Sequence, residues 1–387
     1  MLIFPPQNKT MAKILVTGGC GFIGSHTIVD LLENGFDVIS ADDNSRSTKY
    51  ALAGIEKITG KTIKNYEVDL KDFDATEAIF KEHSDITGII HFAAFKAVGE
   101  SVDKPLDYYE NNLFSLINLL KCVKKYNVAH FVFSSSCTVY GNPDAIPVTE
   151  QTPEKKAESP YGATKQMGER IIIDYSKVEK ASSILLRYFN PVGAHPSNLI
   201  GELPLGKPMN LVPVITQTAI GKLPKMMVYG SDYDTRDGSC VRDYIHVCDI
   251  AHAHTLALQY LMAGKNVTNC DIFNLGSGDG TTVLEAINTF EAISNVKLNY
   301  EMGPRRSGDV VAIYANNEQA VNGLGWKLKY GITDMMKTAW AWEQKIKAEN
   351  VLLIELRRHF TNDCVLILMG ARDPSLDAFA KQVYKAL

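Results

Sequence analysis

The stretch Val16-Thr17-Gly18-Gly19-Cys20-Gly21-Phe22-Ile23-Gly24 constrains this chain more than any other. The apolar run Lys13–Thr17 reads as a strand, Gly18, Gly21 and Gly24 recur at every third position, and an amphipathic run Phe22–Asn34 reads as a helix. A strand that turns on glycine into a helix lets the backbone approach a pyrophosphate, and the free N–H groups at the helix start face it. About 20 residues on, Asp42 closes a second predicted strand, Asp37–Ala41, where an acid holds an adenosine ribose. A glycine pattern alone also describes a structural turn; the strand–turn–helix context and Asp42 favour nucleotide binding. The Asp42 carboxylate repels a 2′-phosphate and so favours NAD over NADP, while Arg46 is the nearby residue able to accept that phosphate.

The alternation continues. Lys64–Val68, Gly88–Phe92, Ala129–Ser134 and Ser183–Tyr188 read as strands, and Leu106–Tyr126 and Tyr161–Lys177 as helices. Alternating strands and helices predict a doubly wound parallel α/β sheet of Rossmann type with right-handed crossovers. After Asn190 the chain turns rich in Pro, Gly and Asn, with a helix at Val214–Ala219. The expected organisation is a Rossmann domain over 11–190 and a smaller C-terminal substrate-binding α/β domain, mainly 191–350, on the carboxyl side of the sheet. Residues 1–10 form an N-terminal extension. Residues 351–387 form a tail with no assigned role, its Cys364–Gly370 reading as a strand and Pro374–Leu387 as a helix.

Composition removes several classes of function. Lys and Arg total 40 against 44 Asp and Glu, a net charge of −4, which argues against nonspecific nucleic-acid binding and docking on an anionic membrane. The longest apolar runs, Val351–Ile354 and Val365–Met369, fall far short of a membrane span. Met1–Thr10 lacks a basic flank and an apolar core, so no secretory signal is read. The seven cysteines, none in a CxxC, read as reduced thiols of a cytoplasmic protein.

Two later segments carry chemistry. Phe133-Ser134-Ser135-Ser136-Cys137-Thr138-Val139-Tyr140-Gly141 follows a strand, which places its hydroxyls at the carboxyl end of the sheet. Downstream, Ser159-Pro160-Tyr161-Gly162-Ala163-Thr164-Lys165 opens a helix on which Tyr161 and Lys165 share a face. A tyrosine of pKa near 10 is a poor base at pH 7, and lowering it by about 3 units takes about 4 kcal/mol. A charge about 4 Å away at an effective dielectric of 20 supplies that much, so Lys165 is expected close to Tyr161 in a partly dry site. Taken alone, the pair is an ordinary surface Tyr–Lys pair; with the glycine turn and Ser134–Ser136 it reads as catalytic.

These residues resemble the signature of the extended short-chain dehydrogenases/reductases, and within them the UDP-sugar 4-epimerases. The resemblance covers roughly Met11 to Asn350 and is carried by Thr17–Ser25, His91–Ala94, Lys96–Ser101, Tyr108–Asn112, Ser134–Gly141, Tyr161–Lys165, Leu186–Pro196, Val241–Val247 and Arg305–Asp309. It implies a reversible interconversion of UDP-glucose and UDP-galactose, as in galactose metabolism, with tightly bound NAD. The implied catalytic residues are Ser136, Tyr161 and Lys165. Besides Gly18, Gly21 and Gly24, the residues implied to line NAD are Phe22, Ile23, Asp42, Asp43, Asn44, Ser45, Asp69, Leu70, Phe92, Ala93, Lys96, Asn111 and Phe189, together with the catalytic three. Lys96, Asn190, Asn210, Leu211, Tyr229, Arg242, Arg306, Asp309 and Ile313 are implied to join Ser136 and Tyr161 around the UDP-sugar. Forked guanidinium donors suit a diphosphate and Asp309 a ribose hydroxyl. Ile313 falls where bulk gates the sugar's 2-substituent, and being stiff and β-branched it favours the unacetylated sugars. A homodimer through the helices Leu106–Tyr126 and Tyr161–Lys177 is also implied, with Leu116 and Leu120 as positions that would test it if they face outward.

Other readings are weaker. Related sugar-nucleotide dehydratases place an acid pair after the serine hydroxyl, where this chain has Cys137 and Thr138. Cys137 has no histidine placed in sequence to activate it and reads as a small packing residue. His246, His252 and His254 lack the spacing of a zinc site, so no metal is expected; His252 and His254 read as helical, one of them facing solvent. Two alternatives stay open: an epimerase of broader specificity, such as UDP-GlcNAc/UDP-GalNAc, and a non-catalytic NAD-binding protein, against which the intact Tyr–Lys pair counts.

Overall fold

Consecutive residues of the first strand, Ile14, Leu15 and Val16, go alternately to two different hydrophobic cores, as the period of a β-strand buried on both faces requires. The computed structural model describes residues 11–306 and 310–359, with backbone alone for 350–359. The expectations for Met1–Thr10, Asp309, Cys364–Gly370 and Pro374–Leu387 lie outside the described residues.

In chain order the first half is β1 (Lys13–Thr17), α1 (Phe22–Glu33), β2 (Asp37–Ala41), α2 (Tyr50–Thr59), β3 (Asn65–Tyr66), α3 (Phe73–Glu82), β4 (Ile86–His91), α4 (Val98–Asp103), α5 (Pro105–Tyr126), β5 (His130–Ser136), α6 (Pro160–Ser176) and β6 (Ser182–Tyr188). The second half is β7 (Asn190–Val192), α7 (Leu211–Ala219), β8 (Met226–Tyr229), β9 (Val241–Arg242), β10 (Tyr244–His246), α8 (Val247–Met262), β11 (Cys270–Leu275), β12 (Thr281–Thr282), α9 (Val283–Ser294), β13 (Tyr300–Gly303), β14 (Ala312–Ile313), α10 (Glu318–Leu324) and α11 (Ile332–His359).

The main sheet has seven strands in the order β11-β6-β5-β4-β1-β2-β3, and every pair is parallel. One face packs Ile14, Val132, Ile184 and Leu186 against Ile28 of α1 and Leu258 of α8. The other packs Leu15, Ile89, Phe131 and Phe133 against Leu116, Leu119 and Leu120 of α5 and Ile172 of α6. The chain runs outward from β1 through β2 to β3, then returns to β4 and runs the other way. That reversal opens a crevice at the carboxyl ends of β1 and β4, where doubly wound sheets bind their ligands.

The doubly wound sheet matches the expectation, but the split at residue 190 does not. β11 completes the Rossmann sheet beside β6, and α8 packs on α1. The seventh strand comes back into the first layer after an excursion, and its apolar pattern says "strand" without saying in which sheet. The excursion forms β7 with β10, β8 with β13, and β9 between β12 and β14. Its own core includes Val212, Ile215, Phe290 and Met336. The boundary at 350 is crossed as well, since α11 runs through to His359.

The condition placed on Leu116 and Leu120, that they face outward, is not met. Leu116 is 0% and Leu120 4% exposed, because with Leu119 and Val123 they form the apolar stripe facing the sheet. The outward apolar residues are Leu106 and Phe114 on α5 and Met167 on α6. Among the described residues no helix is long and apolar enough to cross a membrane, and the six described cysteines are free.

Candidate active site

The glycine turn is built by close approach. Gly18 has φ +70°, and a Cβ there would lie 2.8 Å from the backbone N of Ala93 at the end of β4. A Cβ on Gly24 would lie 2.2 Å from the Gly18 carbonyl oxygen, so the third glycine seats α1 against the turn. No side chain caps α1 and no acid lies in its first turn, which leaves its N-terminus to attract an anion. Asp42 follows β2 directly and is aimed by three donors. Its Oδ2 accepts the Cys20 N–H at 2.9 Å, and its Oδ1 accepts the Asn44 N–H at 2.9 Å and the Ser47 hydroxyl at 2.7 Å. A carboxylate has about four acceptor positions, so one remains for a ribose hydroxyl. Beside it Asn44, at φ 57°, carries a buried Oδ1 with no partner. An uncapped helix start, a directed acid and an orphaned acceptor fit an adenosine dinucleotide.

Arg46 does not compete with that reading, because Glu100 holds its guanidinium at 3.0 Å and it lies over the Phe95 ring. Around the same crevice Phe22, Ile23, Phe92, Ala93 and Asn111 are half-buried and Leu70 and Phe189 buried. Asp43, Ser45 and Asp69 are exposed; Asp43 accepts the Ser45 hydroxyl, forming a small turn at the edge.

The catalytic candidates converge at the seam between β5 and α6. Lys165 is 4% exposed, and its Nζ donates to the Ser134 carbonyl at 2.6 Å. It stands 4.9 Å from the Phe133 ring centroid and 5.9 Å from that of Tyr161. Burial pulls the Lys165 ammonium down to about 8, Glu169 opposing it. Burial pushes the Tyr161 phenol up to about 12, with the Ser136 hydroxyl pulling the other way. The lowering of Tyr161 expected from Lys165 is not among these influences, because the ammonium turns to the Ser134 carbonyl. Cys137, whose thiol burial pushes up to about 12, packs against the Val139, Phe189 and Ile313 cluster, as a small packing residue does.

On the substrate side, β14 sets Ile313 beside Arg242 of β9. Ile313 is 5% exposed and packs with Val139, Tyr140 and Phe189. Arg242 donates to the carbonyls of Val241 and Val310 at 2.9 and 2.8 Å. Arg306 lies 5.6 Å over the ring of half-exposed Tyr229, and Arg305 pairs with Asp232. Asn190 opens β7; Asn210 and Leu211 stand at the start of α7. Among the histidines, His254 is buried and His252 half-exposed beside Asp30. No group of residues suited to a metal ion occurs among the described residues.

Sequence reasoning missed the base of the site. Glu169, one turn beyond Lys165, is 1% exposed and accepts the Ser135 hydroxyl. Arg187 of β6, 3% exposed, donates to Glu169 through Nε at 2.9 Å and reaches Tyr140 at 3.1 Å and Glu154 at 2.9 Å. The signal was present as spacing, since Tyr161, Lys165 and Glu169 recur every fourth residue along one helix face.

Comparison with known proteins agrees with this geometry. The family model described as GDP-mannose 4,6 dehydratase matches residues 15–339. The UDP-glucose 4-epimerase of Schizosaccharomyces pombe is 50% identical over 337 residues, 86% of this chain and 94% of that protein. This chain belongs to the UDP-glucose 4-epimerase family. Among solved structures, the UDP-glucose 4-epimerase of Stenotrophomonas maltophila with bound NAD and formylated UDP-arabinopyranose superposes with a TM-score of 0.84. It is 42% identical and covers 87% of this chain and 99% of that one. The Bifidobacterium longum enzyme in complex with NAD+ and UDP gives 0.82 at 46% identity, over 86% of this chain and 98% of that one. Cys137 and Thr138 of this epimerase-family chain follow Ser136 in a short 3-10 turn, so that turn offers no acid for elimination.

Glu169→Gln leaves the Arg187 guanidinium buried with the half-exposed Glu154 as its remaining anion. Breaking a buried pair costs about 3–5 kcal/mol, and Glu154 sets the expected loss near the low end, about 3 kcal/mol. Urea denaturation measures it; a loss below about 1 kcal/mol would show that the pair is solvated rather than buried.

Proposed function

We propose that this chain reversibly interconverts UDP-glucose and UDP-galactose by transient oxidation at C4. The observation that supports it best is the convergence of Ser136, Tyr161 and Lys165 at the carboxyl edge of a sheet whose first turn fits a dinucleotide. When bound, NAD supplies the hydride acceptor for C4 and, oxidised, a positive charge beside Tyr161. The Tyr161 phenolate takes the proton of the sugar 4-hydroxyl and returns it after the flat 4-keto sugar has turned over. Ser136, at the end of β5, orients the 4-oxygen and relays that proton. Lys165 spends one donor on the Ser134 carbonyl and keeps two for ribose hydroxyls. Arg242 and Arg306 neutralise the diphosphate. Asn190, Asn210 and Leu211 frame the nucleotide and sugar, and Ile313 walls the space beside the 2-substituent. The acetylated pair is the second reading, and packed Ile313 disfavours it, since added bulk in a packed pocket costs about 1–3 kcal/mol.

Purified protein supplied with NAD should convert UDP-galactose to UDP-glucose without consuming NAD, and act on UDP-GlcNAc about 10-fold less efficiently. No conversion, or stoichiometric NAD reduction, would end this reading; equal efficiencies would remove Ile313 as the gate. Tyr161→Phe should lower kcat about 10²–10⁴-fold while NAD stays bound, and more than a tenth of the wild-type rate would place the base elsewhere.

Lys165 carries its charge below about 8 and loses it above. kcat/KM for UDP-galactose should therefore fall as pH rises through that value. Lys165→Arg, always charged, should move this alkaline limb upward even at a lower overall rate; an unmoved limb would assign it to another group.

We also infer a homodimer in which α5 and α6 pair with their symmetry mates as a four-helix interface. The exposed Phe114 and Met167 support this face. Light scattering at micromolar concentration should give twice the chain mass, and Phe114→Asp with Met167→Asp should give a folded monomer. A wild-type monomer, or a dimer unaffected by both changes, would overturn it.

A further inference from the structure

One carboxylate outside the catalytic seam joins the two sides of the cleft. Glu202 Oε1 accepts the Asn210 amide at 2.7 Å on the substrate side, and the Lys96 ammonium lies 3.5 Å from the same oxygen on the Rossmann side. Among the described residues neither of those side chains has another polar partner. Glu202 itself is fixed. Its carbonyl accepts the Trp342 indole N–H at 2.8 Å, and Gly201 bridges Ala194. A Cβ on Gly201 would meet the Trp342 ring at 2.6 Å, so the indole lies directly on the backbone that carries Glu202. The Glu202 side chain is 13% exposed and that of Lys96 56%, so the anchor is the acid and the adjustable partner is the lysine. A second contact closes the same gap. The Met209 methyl reaches Gly99 of α4, 3.4 Å from where a Cβ would stand.

We propose that Glu202 is a positioning residue that sets Lys96 and Asn210 on opposite walls of the cleft and clasps it over the bound cofactor and diphosphate. The inference rests on the function proposed above. A bare carboxylate beside a diphosphate repels it, and Lys96 between them turns repulsion into a relay of alternating charge. Glu202 therefore works only as a unit with Lys96. Removing the acid frees both walls, and removing the lysine alone leaves an unmatched negative charge facing the ligand.

The test uses the purified full chain as wild type, Glu202→Gln, Lys96→Met and the double variant. NAD retained after gel filtration, KM and kcat for UDP-galactose, and melting temperature are measured for each. Glu202→Gln should raise KM about 10-fold, the loss of one charge-assisted hydrogen bond, change kcat less than KM, and shed NAD faster at an unchanged melting temperature. Lys96→Met should be worse than the double variant, in which the unmatched charge is gone. Should Glu202→Gln fail to fold, Lys96→Met decides alone, and wild-type KM and NAD retention in it would overturn the clasp. Wild-type KM and NAD retention in Glu202→Gln, or effects of the two substitutions that simply add, would overturn the clasp while leaving the proposed function standing. A wild type that neither holds NAD nor converts UDP-galactose would overturn both.

Discussion

The seam between the end of β5 and one face of α6 is the interaction on which the rest of the site depends. Tyr161, Lys165 and Glu169 stand a turn apart, and each meets a different member of Ser134–Ser136. Lys165 takes the Ser134 carbonyl, Glu169 the Ser135 hydroxyl, and Tyr161 lies by the Ser136 hydroxyl. Residues of one strand point alternately to opposite faces, so Ser135 shares the α6 face with Phe133, Ser134 points to the other face, and Ser136 reaches Tyr161 from the strand end, where the chain leaves β5 for the turn that follows. The structure uses the Ser134 backbone in place of its side chain, which is thereby free to bond Tyr188 on β6. A slip of the helix by one residue would lose all three contacts together. The Glu169–Arg187 pair fixes that register from below.

That seam explains how a lysine is kept in a dry place beside the reacting group. A buried ammonium loses charge unless something nearby favours it, and Glu169 opposes the effect of burial on Lys165. Glu169 is in turn matched by Arg187, so the network as a whole adds little net charge beneath the sheet. A buried pair of this kind is poor evidence for stability in itself. Its use here is geometric, since the Arg187 fork reaches Glu169, Glu154 and Tyr140 and so links α6 and β6 to the loop after β5.

Much of this was legible in the chain, for reasons that differ by element. Lys13–Thr17 and Asp37–Ala41 are found as expected because both strands are short apolar runs between glycine or polar breakers. The glycine turn was readable because close approach leaves few substitutes for glycine. Tyr161 and Lys165 were readable through helical spacing, and Glu169 lies on the same stripe. Arg187 was not, since a charged residue within a strand reads as an exposed position until its buried partner is known. Whether Leu116 and Leu120 face outward was not legible, because an amphipathic helix announces an apolar stripe without naming what covers it. Glu202 had no signal at all, because it is defined by residues on three separate elements.

The failed boundary at residue 190 has the same origin. A linear division assumes that each half closes its own core, but this chain leaves the Rossmann layer after β6 and returns to it with α8 and β11. The C-terminal helix then ties the parts again. Met335 and Met336 of α11 lie in the second core, while further along Trp342 and Lys345 meet Tyr50 of α2, and Glu349 accepts the Tyr50 hydroxyl at 2.8 Å. Tyr50 belongs to the crossover after β2, the strand that Asp42 follows. One helix thus touches the dinucleotide half through Tyr50 and the substrate loop through the Glu202 carbonyl. Elements connected in this way resist opening as two rigid lobes.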